Sequence, residues 1–114
     1  MAKDYARISA DQDARAAVLF KANPEIMRAH RQAMTAAQAP KALDGRIAEL
    51  MALAIAIAQR CEGCVVYHTG AALKKGASRD EILDTIAVAI EMGGGPATVY
   101  GADALAAYDQ FAAE

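Results

Sequence analysis

From Leu50 to Ala58 the chain reads LMALAIAIA, with no polar side chain on any face. A membrane span needs roughly 20 apolar residues, and this run falls far short. The rest of the protein therefore has to bury it, as a helix apolar on nearly every side at the centre of the fold. The punctuation around it is helical too. Strand signals are weak: β-branched residues are scattered, and Asp44-Gly45 opens a helical pattern where a hairpin would need alternating runs on both sides.

The other elements follow from their caps. A first helix is expected over about residues 11–21, carrying Ala14, Ala17, Val18 and Leu19. Asn23 reads as an N-cap, with Pro24 at the first helical position of a second helix that runs to about Ala37 and stops before Pro40. Asp44 caps the third helix, which holds the apolar run. A fourth covers Cys61 to Lys75. Its last turn is cationic at Lys74 and Lys75, and Gly76 suits the position after it. Ser78 with Glu81 three residues on reads as a capping box for a fifth helix, whose apolar face is Ile82, Ile86, Ala89 and Ile90 with Leu83 beside it. Gly93-Gly94-Gly95 ends it, and Pro96 opens a sixth helix to about Ala112. The expectation is one all-α domain, residues 1–114: a compact bundle of about six helices with short connections.

That bundle is small for its apolar content. In 114 residues, 55% are hydrophobic, Trp is absent and only two Phe and four Tyr are present. Mean hydropathy is slightly positive at +0.11. A chain of this size cannot bury so much apolar surface alone, which predicts a homo-oligomer. A net charge of −2 without a clustered basic face argues against nucleic-acid binding. The opening MAKDYARISADQDAR is charged and lacks an apolar core, so no secretory leader or membrane anchor is expected. The expected compartment is the cytoplasm, where two close thiols point to redox or metal chemistry ahead of a structural disulfide.

Both cysteines and one of the two histidines fall within QRCEGCVVYHTG, Gln59 to Gly70. On a helix, Cys61, Cys64 and His68 share one stripe at spacings of three and four. Backbone N–H groups in a helix's first turn favour the thiolate, and a nearby imidazole can accept or relay its proton. Two cysteines at this spacing can also close a disulfide. Redox chemistry is the leading reading. A c-type haem site would need His directly after the second Cys, where Val65 stands, and a thioredoxin-like site would need a βαβ setting. A metal site of two Cys, one His and a fourth carboxylate or water stays open, as does inert packing.

Glu49 begins the apolar run. It is either a surface carboxylate paired with Arg46 or a buried acid acting on His68. In one unbroken helix the two residues would lie roughly 28 Å apart. A relay therefore requires the chain to turn between about Ala58 and Glu62.

Taken together, Glu49-x11-Cys61-x2-Cys64-x3-His68 resembles the signature of AhpD-like alkylhydroperoxidases, in the carboxymuconolactone decarboxylase superfamily. The resemblance runs from about Asn23 to Tyr108 and includes the helical layout and the glycine-rich turn. It implies an all-α fold assembling as homotrimers or homohexamers, and a thiol-dependent peroxidase activity. It implies Cys64 as the peroxidatic thiol, Cys61 as the resolving thiol that closes a disulfide, and His68 with Glu49 as a proton relay. The implied partners are a hydroperoxide substrate and an external thioredoxin-like or lipoyl reductant; no bound cofactor or metal is implied. Glu62 and Gly63 stand between the cysteines, where peroxidase members often carry a histidine. An acid there opposes thiolate formation if it points inward.

Two rival functions are a lyase or isomerase on a small lactone acid, as in the decarboxylase branch, and a non-catalytic metal-binding or stress-sensing module. His30 reads as a surface or interface residue, and Gly93 to Pro96 as a helix break lacking the Lys-Ser/Thr of a phosphate loop. Tyr67 and Tyr100 read as packing residues, and Met27, Met34, Met51 and Met92 as core or interface filler.

Overall fold

The helix caps set the architecture. In the computed structural model, which describes residues 2–39 and 41–114, six helices follow one another: α1 (Tyr5–Ala22), α2 (Pro24–Gln38), α3 (Gly45–Ala58), α4 (Glu62–Lys74), α5 (Arg79–Gly93) and α6 (Gly95–Ala112). Asp44 accepts from the Ile47 N–H at 2.9 Å to start α3. The capping box at α5 is reciprocal: Glu81 N–H donates to Ser78 Oγ at 3.1 Å, and Ser78 N–H donates to Glu81 Oε1 at 2.9 Å. Gly76 closes α4 at φ 90°, in the left-handed region that favours glycine.

Three boundaries differ from expectation. The first helix begins at Tyr5, about two turns early, because Asp4 caps it by accepting from Arg7 N–H at 3.1 Å. Asn23 occupies the N-cap position of α2, but its side chain makes no cap bond; its N–H donates back to Leu19 O at 2.8 Å, closing α1. At the last break Gly94 alone is non-helical, with φ 73°, so α6 begins at Gly95 and Pro96 falls inside its first turn. Pro40, the expected stop after α2, lies outside the described residues.

The apolar run sits at the centre. Helix α3 packs against α4, α5 and α6, and α4 and α5 both pack on α6. Leu50, Leu53, Ala56 and Ile57 are buried with Val65, Ala72, Ile82, Ile86, Ala89, Ala97 and Ala104. Tyr108 closes one end, its hydroxyl donating to Ala77 O at 2.9 Å across the turn between α4 and α5.

Burial of α3 is one-sided, however. Met51 and Ile55 face outward and are exposed. Helix α2 touches only α1 and α3 and contributes no buried residue. Met92, expected as filler, is 78% exposed, and Met27 and Met34 are half-buried, so none of the four methionines joins the core. Among the described residues no helix is long and apolar enough to cross a membrane.

Candidate functional site

The turn demanded by the sequence argument is present. Helix α3 ends at Ala58, α4 begins at Glu62, and Arg60 between them takes φ 61°. That left-handed conformation is uncommon for a residue with a side chain. It folds α4 back along α3, and the ladder stays closed across the reversal: Arg60 N–H donates to Ile57 O at 3.2 Å and Cys61 N–H to Ala56 O at 3.2 Å. Gly63 lies inside α4 and takes no part in the reversal. A Cβ there would stand 3.2 Å from Gln12 Oε1, so glycine lets α1 approach the cysteine segment.

The reversal places Cys61 at the N-cap of α4 and Cys64 in its first turn. The two are joined by a disulfide, with Cα atoms 5.2 Å apart. Cys61 Sγ accepts from Cys64 N–H at 3.3 Å, using one of the donors that a helix start leaves unpaired. Cys64 is exposed and Cys61 half-buried. A reagent in solvent therefore meets Cys64 first, while the helix start favours negative charge on Cys61.

His68 stands one turn beyond Cys64 on the same stripe. Its Nδ1 lies 3.1 Å from Glu49 Oε1. Glu49 is 2% exposed, which overturns its reading as a surface partner of Arg46. Arg46 pairs instead with Glu81, and more loosely with Asp44 at 3.9 Å, tying α3 to α5. The other oxygen of Glu49 has a neighbour that sequence reasoning treated only as a helix-end cation: Lys75 Nζ lies 3.9 Å from Oε2 and 3.5 Å from Gln38 Oε1. The Lys75 stem passes over Gly45, where a Cβ would stand 3.4 Å from Lys75 Cδ. The buried acid thus has an imidazole on one side and an ammonium on the other.

Tyr67 does not pack inward as expected. It is exposed, its ring meets that of His68 edge-on at 5.0 Å, and it borders an open groove of about 580 Å³ with Val66, Leu73, Lys74 and Phe111. Tyr100 packs against the core and His30 lies exposed on α2, as read from the sequence. Among the described residues no group of three or more His, Cys, Asp or Glu is arranged to hold a metal ion.

A second set of residues at this end was not anticipated. Lys3 Nζ donates to Glu62 Oε2 at 2.5 Å and to Asp103 Oδ1 at 3.2 Å, and the Tyr5 hydroxyl donates to Asp103 Oδ1 at 2.7 Å. Pairing with Glu62 holds the Lys3 ammonium above the usual lysine range. Separations of 59 to 100 residues leave no local pattern that would reveal these contacts.

Comparison with known proteins finds relatives of this chain and of its fold. The profile described as the carboxymuconolactone decarboxylase family matches residues 24–107. An uncharacterized protein of Cupriavidus necator is 40% identical over 91 residues, covering 80% of each chain. The apo crystal structure of a carboxymuconolactone decarboxylase family protein from Legionella pneumophila superposes with a TM-score of 0.90 at 37% identity, over 94% of this chain and 96% of that one. A Thermotoga maritima protein superposes with a TM-score of 0.80 over 93% and 92% of the two chains; at 24% identity that likeness speaks for the fold alone.

Proposed function

This chain belongs to the carboxymuconolactone decarboxylase family, and within it we propose a thiol-dependent peroxidase that cycles Cys61 and Cys64 between dithiol and disulfide. One observation carries the reading: a disulfide at the start of α4, with its exposed Cys64 one turn from a histidine anchored on a buried acid. An inert pair would not need the imidazole, and a buried glutamate without a task is costly.

The steps follow from the positions. In the reduced protein the Cys64 thiolate attacks the distal oxygen of a hydroperoxide. An S–O bond forms, the O–O bond breaks, and the alcohol leaves with a proton relayed by His68. Cys64 is then a sulfenic acid. The Cys61 thiolate, favoured by the helix start, attacks that sulfur; the S–S bond forms and water leaves. An external dithiol, thioredoxin-like or lipoyl in class, returns two electrons and two protons by thiol–disulfide exchange. Glu49 holds the His68 ring in place through Nδ1, and no bound cofactor enters the cycle.

Self-assembly as a homotrimer or homohexamer belongs to the same reading. Its support is the apolar surface left uncovered: Ile26 on α2, Met51 and Ile55 on α3, and Val88 and Met92 on α5 are all exposed.

The test is peroxide consumption with dihydrolipoamide as electron donor. The native protein should turn over, and Cys64→Ser and Cys61→Ser should each abolish turnover. Activity on a lactone acid that survives both substitutions would favour the lyase reading. Stoichiometric zinc in the purified protein without turnover would favour the metal-binding one.

A further inference from the structure

The acid between the two cysteines carries a cation on its carboxylate. Glu62 is the first residue of α4, bonded in the chain to Cys61, and its carboxylate is held by Lys3 at 2.5 Å. Lys3 is itself fixed. Its ammonium also donates to Asp103, whose side chain is only 12% exposed and which accepts the Tyr5 hydroxyl as well. Gln110 ties down the backbone: its Oε1 accepts from Tyr5 N–H at 2.6 Å and Ala6 N–H at 3.3 Å, and its Nε2 donates to Lys3 O at 3.2 Å. Helix α1 then crosses the cysteine segment, with Gln12 seated over Gly63 and Arg15 donating to Gln12 Oε1 at 3.3 Å.

An exposed ion pair adds little to stability. This one matters for where it sits. A carboxylate beside a thiol disfavours the thiolate, and a cation on that carboxylate cancels much of the effect. We propose that Lys3 is a positioning residue of the dithiol: by pairing with Glu62 it holds the carboxylate built in beside Cys61 off the sulfurs and keeps the thiols reactive at neutral pH.

The proposal rests on the dithiol reading above. The charged and titratable groups linked to this segment, through the chain or by contact, include Arg60 in the turn from α3, Glu62 and His68 on α4, Glu49 of α3 on the imidazole, Arg15 of α1 through Gln12, Tyr5 and Asp103 through Lys3, and Lys3 itself. Lys3 is the cation in direct contact with Glu62.

The test follows alkylation of the reduced protein by iodoacetamide against pH, with thiolate absorbance near about 240 nm as a second readout. It compares the native chain, Lys3→Met, Lys3→Arg, Glu62→Gln and the Lys3→Met, Glu62→Gln double variant. Lys3→Met should slow alkylation at neutral pH about three- to tenfold and move the thiolate midpoint upward. Lys3→Arg should restore the native profile. In the Glu62→Gln background, Lys3→Met should have a clearly smaller effect, because the side chain that Lys3 restrains is no longer charged. An unchanged profile in Lys3→Met, or an equal shift with and without Glu62, would overturn the proposal. The readout uses no peroxide, so absent peroxide turnover with the coupling intact would remove the peroxidase reading and leave this inference standing.

Discussion

His68 Nδ1 and Glu49 Oε1 lie 3.1 Å apart across the α3–α4 hairpin, although the two residues are nineteen positions apart in the chain. An ionised carboxylate only accepts hydrogen bonds, so it selects the tautomer with the proton on Nδ1 and leaves Nε2 as the accepting nitrogen. The pair therefore fixes an imidazole on the stripe that carries Cys64.

In the proposed cycle, removing the imidazole should be costly to turnover. His68→Ala is expected to lower peroxide turnover about 100-fold, within the usual range for general acid–base groups. Glu49→Gln should lose about tenfold, because the ring keeps a hydrogen-bonding neighbour but loses the carboxylate that sets its tautomer. The double variant should be no worse than His68→Ala alone, since Glu49 acts through the ring. Steady-state kinetics on the four proteins checks the ordering.

Packing of α6 on α5 makes a second prediction. A Cβ at Gly101 would come within 2.7 Å of Ile86 Cγ2, a methyl on a buried β-branched side chain that cannot swing away. Alanine raises helix propensity by about 1 kcal/mol, but overpacking costs about 1–3 kcal/mol, so sterics should win. Gly101→Ala is expected to lower stability by about 1–2 kcal/mol in denaturant titrations. Gly95, where a Cβ would meet nothing within 4 Å, should accept alanine without loss.

The start of α1 has an alkaline signature. Burial, reinforced by the hydrogen bond to Asp103, pushes the Tyr5 phenol from 10.0 up to about 12. A group whose folded-state value is raised contributes stability that is fully present below its unfolded value and lost as pH rises through the folded one. Tyr5 should therefore hold its contribution up to about pH 10 and lose it by about pH 12. An absorbance titration should show a late tyrosine step that belongs to Tyr5. Tyr5→Phe should remove that step and flatten the alkaline loss of stability over the same interval.

The parts of the fold that were legible in the sequence were those with local causes. Asp44 and the Ser78–Glu81 box marked helix starts because a capping side chain acts within three residues. Gly76 and Gly94 marked breaks because their positive φ suits glycine. The Cys61–Cys64–His68 stripe was likewise readable, since helix geometry fixes it. The pairing of Glu49 with His68 was legible only as a condition on the turn, and Arg60, within the polar stretch that follows Ala58, supplies that turn. The early start of α1 was missed although Asp4 caps it locally, because the turns that follow are polar and show no apolar face; Tyr5 there is held by Gln110 and Asp103, about a hundred residues away. Lys3 and Glu62 were unreadable as a pair because 59 residues separate them. Lys75 was recognised for its helix end, but its approach to Glu49 depends on the bare backbone at Gly45 across an interhelical contact.

The most direct test of the account is the intact mass of the reduced protein after brief treatment with about one equivalent of an organic hydroperoxide. A Cys61–Cys64 disulfide should form rapidly, with a loss of about 2 Da, and Cys61→Ser should instead trap a gain of about 16 Da on Cys64. An unchanged mass, with both cysteines still open to alkylation, would contradict the peroxidase account.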